Sequence, residues 1–216
     1  DYAVSSVYVN QILQTDIDLV YLPKEIKSFY LKTKYHLVYT DATDIPSAWR
    51  VTNNQVILTA QAKNLLIDED YVYYVKDQQV HLLLIRKDSE VVNLPKTIDG
   101  KAVAHVYHQA LKQAKVVHVP SSIKSINLDT SMLKKVLYEG SSKGGIDNVS
   151  YLVNVKEAFF DGTFVYAQLE QGLFVVYTFE TDAKELIVPS TYQGKQVVGV
   201  KENGIYSEDH KIVTIP

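Results

Sequence analysis

Residues 91–126 read VVNLPKTIDGKAVAHVYHQALKQAKVVHVPSSIKSI, a run of short apolar strands punctuated by proline and glycine. Two short apolar strands, Val92-x-Leu94 and Val117-x-Val119, each end on a proline, Pro95 and Pro120, 25 residues apart. Proline cannot donate a ladder hydrogen bond, so it ends pairing where the chain turns a corner. Between the prolines, Asp99-Gly100 marks a turn, Gly100 permitting a backbone conformation that branched residues resist. Lys101-x-Val103-x-x-Val106 then supplies another apolar segment.

The same pattern recurs on either side. Val20-Tyr21-Leu22-Pro23-Lys24-Glu25-Ile26-Lys27-Ser28 matches 117–125, and the chain ends on Val213-Thr214-Ile215-Pro216, so that Pro23, Pro120 and Pro216 lie 97 and 96 residues apart. At an offset of 93, Val56, Lys63, Asp68, Val72 and Tyr73 match Val149, Lys156, Asp161, Val165 and Tyr166. One inserted residue later, Asp88, Pro95, Thr97, Gly100, Lys101, Val103 and Val106 match Asp182, Pro189, Thr191, Gly194, Lys195, Val197 and Val200. Shared β-composition explains the valines. It does not explain the proline, Gly-Lys and aspartate registers, which point to duplication. A period in the twenties with one short strand per turn predicts solenoid segments of leucine-rich type.

A different pattern precedes each solenoid piece. Residues 70–75 and 80–85, joined by Lys76-Asp77-Gln78-Gln79, read as a β-hairpin, and 163–169 with 173–178, joined by Glu170-Gln171-Gly172, read as its counterpart. Helix is scarce: only 60–66 and 110–115 have the composition for a turn or two. The predicted fold is therefore mainly β, with short leucine-rich solenoid segments and hairpin sheets in two tandem units. Residues 1–53 end a preceding partial repeat, 54–146 form the first unit, and 147–216 form the second, truncated at its C-terminus. The best boundary is Ser141-Ser142-Lys143-Gly144-Gly145. Buried positions should include Val103, Val106, Val117, Val119, Ile123 and Ile126, with Val197, Val200, Val213 and Ile215 in the second copy.

Composition narrows the function classes. The 216 residues carry a net charge of −3, which leaves no basic footprint for nucleic acid and no polybasic membrane patch. Cysteine is absent, which removes disulfide scaffolds, thiolate zinc sites and cysteine nucleophiles together. No apolar run approaches the about 20 residues of a membrane span. The N-terminal Asp1-Tyr2-Ala3-Val4 is not a signal peptide, and both ends read as trimmed from something longer.

The chemical candidates are few. His105-x-x-His108 with His118 suggests zinc, but the second copy has Gly199, Glu202 and Thr214 at these places, and strand-flank histidines are the expectation. Asp68-Glu69-Asp70, Asp41-x-x-Asp44 and Glu208-Asp209 lack the alternate spacing and central glycine of a calcium loop and read as solvated turns. No Gly-x-Ser-x-Gly elbow and no glycine-rich phosphate loop occurs. The expectation is no enzyme, no cofactor, no metal site and no catalytic residue. Of the 16 tyrosines, Tyr71, Tyr73 and Tyr74 crowd one hairpin while Tyr166 and Tyr177 sit in the other. By alternation, Tyr71 and Tyr73 share a face and Tyr74 points the other way. Burial with satisfied hydroxyls is the favoured reading; an aromatic contact face for a partner or glycan is the alternative.

Residues 91–126, with 185–216 as a second copy, resemble the leucine-rich repeat of BspA-like bacterial surface proteins. That pattern reads V-x-I-P-x-x-I-D-G-K-x-V-x-x-I-x-x-x-A-F, followed by L-x-x-V-x-I-P-x-S-V-x-x-I. Here the Ala-Phe pair is Ala110-Leu111 and Gly204-Ile205, and Tyr107 and Lys201 replace the usual glycine after the strand. Residues 139–162 interrupt the array. The resemblance implies a secreted or cell-wall-associated, adhesin-like protein that binds host or bacterial macromolecules, such as an extracellular matrix protein or a glycan. A structural spacer is the second expectation, and a hydrolase the last.

Overall fold

The computed structural model describes residues 6–8, 19–30, 37–50, 56–58, 65–107, 110–111, 113–128, 130–179, 181, 185–205 and 212–215. Among them the chain is mainly β, with curled half-barrel sheets and no α-helix. It divides into two compact units, each assembled from three chain segments. One contains 1–88, 96–113 and 122–129, and the other 89–95, 114–121 and 130–216.

In the first unit, Tyr71–Lys76 and Gln79–Ile85 form the expected hairpin. Asp77 and Gln78 both take positive φ in its two-residue turn, a polar pair that tolerates the left-handed region. Leu65–Ile67 adds an antiparallel edge, Lys101–Val106 pairs in parallel with the returning hairpin strand, and Thr97–Ile98 folds back on Lys101 and Ala102. That last turn is Asp99-Gly100, at φ 49° and 72°. The strand at 65–67 replaces the helical turn expected over 60–66: Leu66 and Ile67 pair with Tyr73 and Val72, satisfying a hairpin edge that a helix would leave open. Residues 60–64 lie outside the described residues.

The second unit repeats this pairing plan strand for strand. Glu157–Phe160, Phe164–Leu169, Gly172–Thr178, Lys195–Val200 and Thr191–Tyr192 pair in the corresponding order and directions. The irregularities coincide as well. The hairpin register shifts between Val72 and Tyr73 in one copy and between Val165 and Tyr166 in the other, 93 residues on. The loop bonds Tyr107 N to Leu82 O and Val103 N to Lys96 O have equivalents in Lys201 N to Val175 O and Val197 N to Ser190 O. The second hairpin turn holds two residues, Glu170 and Gln171. Gly172 opens the return strand, paired with Leu169, instead of belonging to the turn.

Short parallel ladders accompany the hairpin sheets. The first comprises Leu19–Leu22, Leu37–Thr40 and Val56–Leu58. Ser6–Tyr8, Ser28–Tyr30 and Trp49–Arg50 make another parallel set beside it in the chain. The second ladder comprises Val91–Asn93, Val116–Val119, Lys135–Tyr138 and Ser150–Leu152. The third is the pair Glu185–Ile187 and Ile212–Thr214. Of the expected helix over 110–115, the described residues show only a 3₁₀ position at Ala110, whose N–H donates to Tyr107 O; Lys115 N and Val116 N both donate to Glu90 O, which draws the chain into the second ladder.

Val103, Val106, Val117, Val119 and Val197 are buried as expected. Ile123, Ile126 and Val200 are half-buried, because the segments carrying them run at sheet margins. Ile215 is 53% exposed, contrary to the expectation, since it follows the two-stranded third ladder.

Candidate functional site

Four side chains of the first hairpin sheet and the loop after it, Tyr74, His81, His105 and Tyr107, gather on one face. Parallel pairing of Lys101–Val106 with Gln79–Ile85 sets His105 opposite His81, and antiparallel pairing sets Tyr74 opposite His81 on the other side. The three rings stack as a column, with centroids 4.5 Å apart for Tyr74–His81 and 4.3 Å for His81–His105. Tyr107 closes the column, its hydroxyl 2.9 Å from the Tyr74 hydroxyl and 3.3 Å from His81 Nδ1. Burial, then the neighbouring His105 and Lys76, depress the His81 pKa to about 4, against a smaller opposing pull from Asp77. The ring is neutral at pH 7. Burial and the bond to Tyr107 push the Tyr74 phenol well above its ordinary value.

This geometry disfavours a shared metal. Ring-nitrogen lone pairs lie in the ring planes, and the His81 and His105 planes are only 17° apart, so their lone pairs run side by side instead of converging. The three histidines singled out in the sequence do not form one site. His105 stacks on His81, whereas His118 is 4% exposed and places Nε2 3.0 Å from Val155 O. His108 lies outside the described residues. Among the described residues, no group of three or more His, Cys, Asp or Glu side chains is arranged to hold a metal ion.

The second copy has a different set at the column's place. Ala167, Phe174, Gly199 and Lys201 stand for Tyr74, His81, His105 and Tyr107. Lys201 Nζ sits 4.1 Å from the centre of the Phe174 ring, a cation–π contact in place of the stack.

The other tyrosines divide into inward and outward groups. Tyr73 and Tyr166 are buried at matching positions, yet their hydroxyls find different carboxylates. Tyr73 donates to Asp99 in the Asp-Gly turn, and desolvation followed by this bond raises its pKa to about 12. In the second copy Gln193 occupies that turn position, and Tyr166 donates instead to Asp161 Oδ2 at 2.6 Å. Tyr74 packs with Val72, Leu83, Leu84 and Leu37, on the opposite face from Tyr73 as alternation predicts. Tyr177 and Tyr71 are half-buried, and Tyr177 meets Phe179 edge-on at 5.1 Å.

The outward tyrosines are on the ladders: Tyr151 on the second is 51% exposed, and the first carries a pair. Tyr21 and Tyr39 are direct partners on adjacent parallel strands, with ring centroids 5.3 Å apart, and Tyr21 is 52% exposed. The sequence signal available was Tyr at the second place before Pro23, where the duplicate has His118.

The acidic runs are turn devices. Asp68 Oδ1 accepts from Asp70 N at 2.8 Å and Tyr71 N at 2.6 Å, and Asp161 Oδ1 does the same for Thr163 N and Phe164 N. Asp41 Oδ1 accepts from Lys24 N at 2.7 Å. Glu208 and Asp209 lie outside the described residues.

One polar cluster is visible in the sequence only through His118, with nothing to mark Asn93 or Lys135. On the second ladder Asn93, His118 and Lys135 reach toward main-chain carbonyls. Asn93 Nδ2 donates to Ala158 O at 3.1 Å, and the His118 bond to Val155 O lies beside it. Lys135, 4% exposed, donates from Nζ to Val176 O at 2.7 Å and Glu202 O at 3.1 Å. Burial lowers the Lys135 pKa, with Glu202 opposing.

No helix among the described residues is long and apolar enough to cross a membrane. Neither a protein-family model, nor a curated protein, nor a solved structure matches the chain.

Proposed function

We propose that this chain is a non-enzymatic binding module of a bacterial surface protein, secreted or wall-associated and adhesin-like, that recognises a matrix protein or a glycan. Its finer architecture, on this reading, is a short leucine-rich solenoid in two tandem units, 54–146 and 147–216, following the partial repeat of 1–53. The observation that carries the binding role is the outward Tyr21–Tyr39 pair. Paired tyrosines on adjacent rungs offer apolar area with polar tips, the surface chemistry favoured in protein and sugar contacts. The resemblance of 91–126 and 185–216 to BspA-like repeats supports the same reading.

A structural spacer is the second reading, favoured by the inward tyrosines. Tyr73, Tyr74 and Tyr166 spend their hydroxyls on internal partners. Immobilised matrix proteins and a glycan panel separate the two. A binding module retains at least one probe, and Tyr21→Ser with Tyr39→Ser weakens that binding by about tenfold or more while the melting temperature holds. Absence of affinity for every probe, or affinity indifferent to the double substitution, overturns the role given to this pair.

A further inference from the structure

The first two ladders meet a hairpin sheet in the same way. Leu37 of the first ladder, with Leu19 beside it, packs against Val72 and Leu83 of the first hairpin sheet. Val116 and Leu137 of the second ladder pack against Val165 and Val176 of the second hairpin sheet. Leu19 and Val116 are 97 residues apart and hold the same place before Pro23 and Pro120. Val72 with Val165, and Leu83 with Val176, are each 93 apart. One interface is thus built twice, each time between a parallel ladder and the hairpin sheet that follows it in sequence. In the second instance, His118 and Lys135 add bonds to Val155 O, just ahead of the covering sheet, and to Val176 O within it.

The third ladder begins the same arrangement. Leu186 and Val188 are buried in the core around Tyr166, Leu173 and Val197, as Val92 and Leu94 are buried in the second ladder. The alternate positions form the opposite face. Thr214 is exposed there, where the second ladder has the buried His118 and the first the half-exposed Tyr21; Glu185 is exposed at the place of the half-buried Val91, and Ile187, 60% exposed, holds the place of the exposed Asn93. In sequence, Ile212 holds the place of Leu19 and Val116.

We infer that this face of Glu185–Ile187 and Ile212–Thr214 is a docking surface for a curled antiparallel hairpin sheet of the same build as Glu157–Thr178. The fit follows from the two interfaces already formed. Such a sheet brings small apolar residues, as Ala158, Val165 and Ala167 do in the second copy, and main-chain carbonyls at its margin. Another copy of the present chain does not supply it, because the corresponding faces of its two hairpin sheets are already covered by the first and second ladders. The occupant is a further hairpin sheet of this repeat type whose face is free.

The test uses the whole chain and, as probe, the same chain lengthened after Pro216 by a copy of its own residues 121–205, which continues the proline register. The appended hairpin should fold, and amide exchange of 185–187 and 212–214 should slow by about tenfold or more relative to the 216-residue chain, as burial of an open ladder demands. Thr214→Asp should leave the melting temperature of the 216-residue chain unchanged and lower that of the lengthened chain by about 2–4 °C or more. Ile187→Asn with Thr214→His, which copies Asn93 and His118, should keep the added protection. An appended segment that stays unfolded overturns the inference. So does unchanged exchange at 185–187 and 212–214, equal sensitivity of both chains to Thr214→Asp, or self-association of the 216-residue chain through this face. None of these outcomes depends on whether Tyr21 and Tyr39 bind a ligand.

Discussion

The Asp161–Tyr166 pair lends itself to a quantitative test. Asp161 joins the edge strand Glu157–Phe160 to the hairpin by accepting three hydrogen bonds, from Thr163 N at 2.8 Å, Phe164 N at 2.7 Å and Tyr166 Oη at 2.6 Å. The Tyr166 ring is fully buried and stacked 4.8 Å from Tyr192, so its hydroxyl has no ready route to water. Asp161→Ala strands that hydroxyl, at about 1–3 kcal/mol, and releases two turn amides that water partly re-solvates, at about 1 kcal/mol together. A total near 3 kcal/mol is expected. Tyr166→Phe removes the donor and leaves a carboxylate oxygen near the surface, costing about 1–1.5 kcal/mol. The double variant should cost about 2 kcal/mol less than the two singles together wherever the orphaned hydroxyl dominates, because removing it also removes the penalty. Urea unfolding of the four proteins, with unchanged denaturant slopes, measures this coupling. A coupling below about 0.5 kcal/mol would refute the assignment of a buried, carboxylate-dependent hydroxyl.

Two further outcomes follow from the first hairpin sheet. His81 has a folded pKa near 4 against about 6.5 when unfolded, so the unfolded chain takes up its proton first. Its contribution is complete above pH 6.5, is lost as pH falls toward 4, and is flat below. Allowing for solvent around the half-buried ring, the loss is about 1 kcal/mol, and His81→Phe should flatten the melting temperature across this window; an unchanged slope would mean the column is not what titrates. Val106, 2% exposed and paired with Leu82 and Ile126, should tolerate no charge: Val106→Asp should cost about 4 kcal/mol or more and abolish cooperative unfolding of the first unit by calorimetry, and a melting temperature within a degree of wild type would place Val106 outside the core.

The hairpins were legible because runs such as Tyr71–Val75 and Val80–Ile85 carry their signal locally, in β-propensity and an intervening polar turn. The matched registers were legible because prolines and Gly-Lys steps are rare enough to align. Leu65–Ile67 was not: an apolar triplet after Ala60 and Ala62 suits helix by composition, and its strand state is fixed only by the partner edge at 72–74. The Tyr74–His81–His105 column needs three strands in register, one pair antiparallel and one parallel, with a shift between Val103 and His105 that no pattern within one strand reveals. Asp68 reads as a solvated turn because the amides it holds lie only two and three residues ahead and belong to the backbone, and the same holds for its match Asp161. The partners of His118 and Lys135 are hidden for the same reason. A buried lysine whose partners are carbonyls has no complementary residue to find in the sequence.

That choice of partners shapes how the repeats can evolve. Asn93, His118 and Lys135 address Ala158, Val155, Val176 and Glu202 through their carbonyls alone. Every amino acid offers the same carbonyl, so the acceptor side of these bonds survives any substitution that keeps the strand in place. Selection at the receiving positions is thereby relaxed to shape and volume, while the three donors carry the chemical constraint. A receiving sheet held in this manner can drift far from its duplicate, as Ala167, Phe174 and Gly199 have from Tyr74, His81 and His105, and keep its docking contacts.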